Sequence, residues 1–126
     1  MKWPTHIASS LFITLPWINP LSLPFLVCGS VLPDAIETML GLKHRNKITH
    51  GIELYLILLA SGAFFYSPML MMLSFTALHH LFIDAMTLHG VYVLGRNING
   101  NLNTDSIIDN MAVFILHLFI ALLLVK

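Results

Sequence analysis

An all-α, integral-membrane helical bundle of about four to five helices, opening with a short N-terminal helical hairpin, is the fold class this sequence predicts. Three observations carry it. Hydrophobic residues make up 57% of the 126 and charged residues only 10%, against about 25% charged in a soluble domain. The mean hydropathy is +0.84. The apolar residues fall in runs of helical length, punctuated by proline, glycine and asparagine, and residues 33–49 gather five of the twelve formally charged residues.

The length suits one membrane-embedded domain, residues 1–126. Six basic residues balance six acidic ones, so no broad basic surface points to nucleic acid, and none is expected as a partner. Cys28 is the single cysteine, which excludes an internal disulfide. Lys2 ahead of an apolar run imitates a signal peptide. Pro16, Pro20 and Pro24 interrupt that run, and no small-residue cleavage site follows it.

Residues 5–15 read as a short apolar helix stopped by Pro16 and the Asn19-Pro20 turn, and residues 21–32 as a second apolar stretch. Each reaches only about 17 Å, short of the roughly 30 Å hydrocarbon core. The pair reads as a hairpin dipping into the bilayer; the alternative is one long span kinked at its prolines. Pro33-Asp34 then opens a polar-tipped segment, with a short helix closed near Gly41. Lys43, Arg45 and Lys47 mark this side as cytoplasmic, and His44 in the same run reads as solvated. The next helix spans about 50–66, ended by Ser67-Pro68, and another about 69–89, returning to the cytoplasmic side. Residues 96–103 form a polar loop. Thr104 or Asn103 caps a last helix over about 105–125, with Asp105 and Asp109 in its early turns.

The stretch Leu78-His79-His80-Leu81-Phe82-Ile83-Asp84 through His89-Gly90 stands out within this frame. An apolar helix folds without ionisable groups, and one at membrane depth costs roughly 2.5–3.5 kcal/mol. His80, Asp84 and Thr87 share one helical face, so an imidazole and a carboxylate on adjacent turns can chelate one ion. His79 points about 100° away. With 5–15 and 21–32 as a hairpin, His6, Asp34, His50, His80 and Asp84 converge at the cytoplasmic mouth of the bundle. Glu37 and Glu53, one turn beyond Asp34 and His50, are candidates for a second metal position. Imidazole and carboxylate suit a divalent metal, zinc ahead of manganese or iron, and more than four ligands suggests one or two ions. Asp34 or Glu37 is the candidate general base. Simpler roles compete at single positions: His117 as a packed, hydrogen-bonded residue, Asp105 and Asp109 as helix-start residues, Glu53 as an ion-pair partner.

Four stretches together resemble the YdjM-type family of integral-membrane, metal-dependent hydrolases, also described as LexA-binding and inner-membrane-associated. They are Thr5-His6, Gly29-Ser30-Val31-Leu32-Pro33-Asp34, His44-Arg45 through Thr49-His50, and His79-His80-Leu81-Phe82-Ile83-Asp84 with Thr87 and Gly90. Ile36 stands where the family carries a second acid, with Glu37 one position further on; Gly51 and Leu88 replace its usual Ser and Pro. The ligand order is also, more remotely, similar to the zinc-dependent phospholipase C and single-strand nuclease group. These resemblances imply a hydrolase of the inner or plasma membrane with its metal site towards the cytoplasm. Its substrate would be a phosphoester, as a small molecule or a lipid head group reached from the membrane lipid. The second function class is a non-enzymatic metal-binding membrane protein, either a transporter or a regulatory partner of a soluble protein.

Overall fold

A computed structural model describes residues 2–43 and 45–125; His44 and its expected solvation lie outside the described residues. Five helices and one small hairpin make up the described chain: α1 (Trp3–Thr14), α2 (Leu23–Leu40), α3 (Ile52–Phe64), α4 (Pro68–Ala85), β1 (Val91–Val93), β2 (Arg96–Ile98) and α5 (Ile107–Leu124). The helical-bundle class is as expected. Helices α2, α4 and α5 are 18 residues each and long and apolar enough to cross a membrane, since 18 residues rise roughly 27 Å. The outward face of α5, with Ile107, Ile108, Met111, Ile115, Phe119 and Leu122, is exposed; a membrane is the environment that suits such a face.

Helix α4 is the centre of the packing, against α2 on one side and α3 on the other, while α1 lies against α5 and α2. The core is built from Tyr55, Ala77, Leu81 and Val91. Gly29 sets the spacing between α2 and α4: a Cβ there would collide with the Leu73 carbonyl and the Thr76 hydroxyl. Helices α1 and α5 are joined by the Thr5 hydroxyl, which donates to Asn110 Oδ1 at 2.8 Å, and by the edge-to-face pair Phe12–Phe114.

The N-terminal stretch is two helices joined by a turn, not one kinked span. The second differs from expectation. Pro33 was expected to open a new segment; it lies inside α2, which continues to Leu40. An interior proline removes one hydrogen bond and costs about 3 kcal/mol. Tertiary contacts offset it: Leu26, Gly29, Ser30, Pro33, Asp34 and Glu37 form one buried face in unbroken helical phase, and its polar members are all engaged by neighbouring segments. Gly41 then ends the helix in the left-handed conformation, φ 61°, with Leu42 N–H on the Glu37 carbonyl.

Three boundaries also move. Helix α4 stops at Ala85, so His89 falls in an exposed loop. Residues 91–98, expected to run into a polar loop, instead form an antiparallel pair with Val91 opposite Ile98. Leu94 and Gly95 both have positive φ, the geometry of a two-residue hairpin turn. The hairpin is anchored to the start of α3 by Tyr92 N–H on the His50 carbonyl, 2.9 Å. Ser106, not Thr104 or Asn103, caps α5, accepting from Asp109 N–H at 3.2 Å. Asp109 takes the Asn103 N–H at 2.7 Å, in keeping with a helix-start role.

Candidate metal centre

Three segments meet at one end of the bundle. Asp34 comes from α2, His50 from the turn before α3, and His80 and Asp84 from adjacent turns of α4. All four are buried, and one ligand atom from each lies within 4.8 Å of the others, a set that could hold a metal ion. His50 Nε2 is 3.3 Å from Asp34 Oδ1 and 3.6 Å from Asp84 Oδ2. His80 Nε2 is 3.4 Å from Asp84 Oδ2 and 3.8 Å from Asp34 Oδ1. These separations exceed good hydrogen bonds. Two of them, 3.3 and 3.4 Å, equal the edge of a tetrahedron built on metal–ligand bonds of about 2.0–2.1 Å; the other two, 3.6 and 3.8 Å, are longer. His80 Nε2 and Asp34 Oδ1 are buried with no hydrogen bond among the described residues.

The groups behind the ligands decide how they are presented. His80 Nδ1 lies 2.7 Å from the Ser30 carbonyl, and His50 Nδ1 lies 2.7 Å from Glu37 Oε1. A carbonyl and a carboxylate only accept, so Nδ1 carries the proton in both rings. Each ring, with its other nitrogen unprotonated, can then present an Nε2 lone pair to the centre. Asp34 is oriented the same way: the Trp3 indole donates to its Oδ2 at 3.0 Å, leaving Oδ1 towards the histidines.

Glu37 is placed behind His50 rather than beside it in the centre. Its carboxylate accepts from the backbone N–H groups of Arg45 and Asn46, 2.7 Å each, from the Thr49 hydroxyl and from His50. Glu53 reaches the hairpin turn, accepting from Leu94 N–H. His6 comes to the rim of the group. Its Nε2 is 3.4 Å from Asp84 Oδ1, the other oxygen of that carboxylate, and its ring stacks on His80 at 3.7 Å between centroids.

The loop residue His50 reports the field of the site. Among protein groups alone, burial disfavours its imidazolium, but the adjacent Asp34 and Asp84 carboxylates and the Glu37 charge outweigh burial and raise its pKa to about 9. A cation entering the centre takes the place of that proton.

His79 faces away from the centre, as its phase requires. Its Nε2 is 2.9 Å from His117 Nε2, its Nδ1 3.1 Å from Ser10 Oγ, and His117 Nδ1 2.8 Å from the Val113 carbonyl. The carbonyl fixes every proton in turn: His117 donates to Val113, His79 to His117, and Ser10 to His79. His117 is thus a packed, hydrogen-bonded residue. Sequence reasoning missed Trp3 and Ser30 as supporting groups. The signal for Ser30 was present, four residues before Asp34 on the same helical face.

No protein-family model matches this chain, and no curated protein or solved structure matches it either.

Proposed function

We propose that the chain is a membrane-embedded, divalent-metal-dependent hydrolase acting on a phosphoester or lipid-associated substrate. One observation carries most of this reading: two buried imidazoles whose Nδ1 protons are fixed by acceptor-only partners, both turning Nε2 towards two buried carboxylates. A catalytic ion keeps a coordination position for water beside its protein ligands, so with these four groups it would take the water as a fifth ligand. A divalent ion supplies Lewis-acid activation of water and of the scissile group at neutral pH.

In this reading Asp34, His50, His80 and Asp84 hold the ion, zinc by preference from the imidazole and carboxylate donors. Trp3 and Glu37 orient Asp34 and His50. With both sequence-derived base candidates engaged in this way, His6 is, among the described residues, a titratable group beside the centre that can take a proton. Its two ring nitrogens are buried without a hydrogen bond among the described residues. Lys43, Arg45 and Lys47 at this end of the bundle favour a cytoplasmic orientation. The order His6, Asp34, His50, His80, Asp84 along the chain supports kinship with the YdjM-type hydrolases.

The transport alternative needs ligand atoms that continue through the bundle. The buried hydroxyls of Thr14, Ser74 and Thr76 instead close on carbonyls of their own helices, and His79 and His117 close on each other.

Elemental analysis of detergent-purified protein tests the centre, wild type beside Asp34→Ala, His80→Ala and His6→Ala. Stoichiometric metal is expected in wild type and His6→Ala and is lost from the other two. A folded wild type that takes up no metal after reconstitution overturns the hydrolase reading.

A further inference from the structure

The segment between α2 and α3 borders a cleft of about 500 Å³ lined by Lys43, Arg45, Asn46, Lys47, His89 and Tyr92. Three of these are formal cations and none is a carboxylate. Lys43 and Lys47 are exposed, and Lys47 Nζ lies 5.8 Å over the Tyr92 ring, a cation–π contact that holds it at the cleft.

Arg45 joins this cleft to the metal centre. Its Nη1 is 2.9 Å from Asp84 Oδ2, the oxygen that also faces His50 and His80, and donates to the Gly90 carbonyl at 2.8 Å. The Arg45 side chain is only 11% exposed. Its Nε–H is buried and meets no acceptor among the described residues. The backbone at Arg45 is left-handed, φ 59°, a strained conformation for a residue with a Cβ. Glu37 holds it there through the N–H groups of Arg45 and Asn46. The carboxylate that orients His50 thus also fixes Arg45.

A purely structural ion pair accounts for Nη1. It does not account for an unserved Nε–H, nor for continuity with a cleft of cations. A planar guanidinium fork matches two oxygens of one phosphoryl group, which a lysine ammonium does not.

We infer that Arg45 is the anion-binding residue of this site, holding a phosphoryl oxygen beside the metal centre while Lys43 and Lys47 receive the rest of a phosphorylated head group in the cleft. The fate of that phosphoryl group rests on the hydrolase reading; its binding does not. The chemistry is shared by a phospholipid head group and by a soluble phosphoester.

The test is inorganic phosphate binding to the full chain in detergent, by calorimetry, zinc-loaded and chelator-treated, with zinc content measured on each sample. Arg45→Gln weakens phosphate binding about 10- to 100-fold with zinc stoichiometry unchanged, and Arg45→Lys recovers part of it. Lys43→Gln with Lys47→Gln weakens it less and flattens its salt dependence. Equal phosphate affinity in wild type and Arg45→Gln overturns the proposal, as does a zinc-loaded wild type that binds no phosphate. Should Arg45→Gln lose zinc as well, the exposed lysine pair decides, and undiminished phosphate binding there overturns it. A wild type that binds phosphate through Arg45 without taking up zinc keeps the subsite and removes the metal reading. Repeating the titration in phosphatidylcholine nanodiscs with and without phosphatidic acid separates the sources. Competition by phosphatidic acid assigns a lipid head group, and its absence a soluble phosphoester.

Discussion

His80 Nδ1 lies 2.7 Å from the carbonyl oxygen of Ser30, fifty residues away on the neighbouring helix. That contact fixes the ring that faces Asp34 and Asp84, and it depends on how closely α2 approaches α4. Gly29 sets the approach, because any side chain there meets the α4 backbone at Leu73. Gly29→Ala is therefore expected to push the helices apart, at a cost of about 1–3 kcal/mol. Metal affinity is expected to fall about 10- to 100-fold, as when an outer partner of a metal-binding histidine is lost. A thermal melt and a zinc titration on the same variant check both. Unchanged zinc affinity in a destabilised protein would show that His80 finds its orientation elsewhere.

Glu37 and Asp34 are both acids of α2, one turn apart, yet their substitutions should differ in kind. Asp34→Asn removes a ligand charge, and stoichiometric metal should be lost. Glu37→Gln keeps a group near His50 Nδ1 but weakens its hold. Metal should stay bound with affinity reduced about 10- to 100-fold. Zinc titration of the two variants side by side separates a ligand from a residue that positions one. Equal loss in both would place Glu37 among the ligands.

The response to pH should reverse between the chelator-treated and metal-loaded protein. In the first, the His50 proton is held by carboxylates and its pKa stands at about 9, above the usual 6.5. A raised pKa in the folded state adds stability that is complete below 6.5 and fades as pH climbs through 9. In the second, the proton must leave before the ligand binds, so metal affinity grows with pH up to about 9 and is lost towards acid. Melting temperatures across that window, with chelator and with zinc, should run in opposite directions. Parallel curves would mean that His50 is not a ligand.

The difference between the legible and the hidden parts of this molecule has a physical basis. The convergence of His6, Asp34, His50, His80 and Asp84 was readable because ionisable groups in apolar helices are costly and their spacing is helical. The passage of α2 through Pro33 was not, because the local rule against interior proline was overridden by contacts distant in sequence: Trp3 on Asp34, and Arg45, Asn46, Thr49 and His50 on Glu37. The phase of Ser30, Asp34 and Glu37 across the proline carried the signal. The hairpin at 91–98 was obscured by its turn, since Leu94 is a poor residue for a positive φ. Its strands are three residues each, and the first is also tied to the His50 carbonyl through Tyr92 N–H.

Adjacent histidines offer the sharpest control. His79 and His80 differ by one residue and by about 100° of helical phase. His80 faces the carboxylates, whereas His79 joins α1 to α5 through Ser10 and His117. His79→Ala strips His117 Nε2 of its donor and Ser10 of its acceptor and leaves a cavity between three helices. It should cost about 2–4 kcal/mol while metal stays bound at full stoichiometry. His80→Ala should abolish metal binding, and its effect on the melting of chelator-treated protein should be the smaller of the two. His80 makes one hydrogen bond, to a backbone carbonyl, where His79 completes a chain of three. Crossing the two readouts, metal content and chelated stability, assigns each ring independently. Loss of metal from both variants would mean that the Ser10–His79–His117 chain positions the centre as well as the helices.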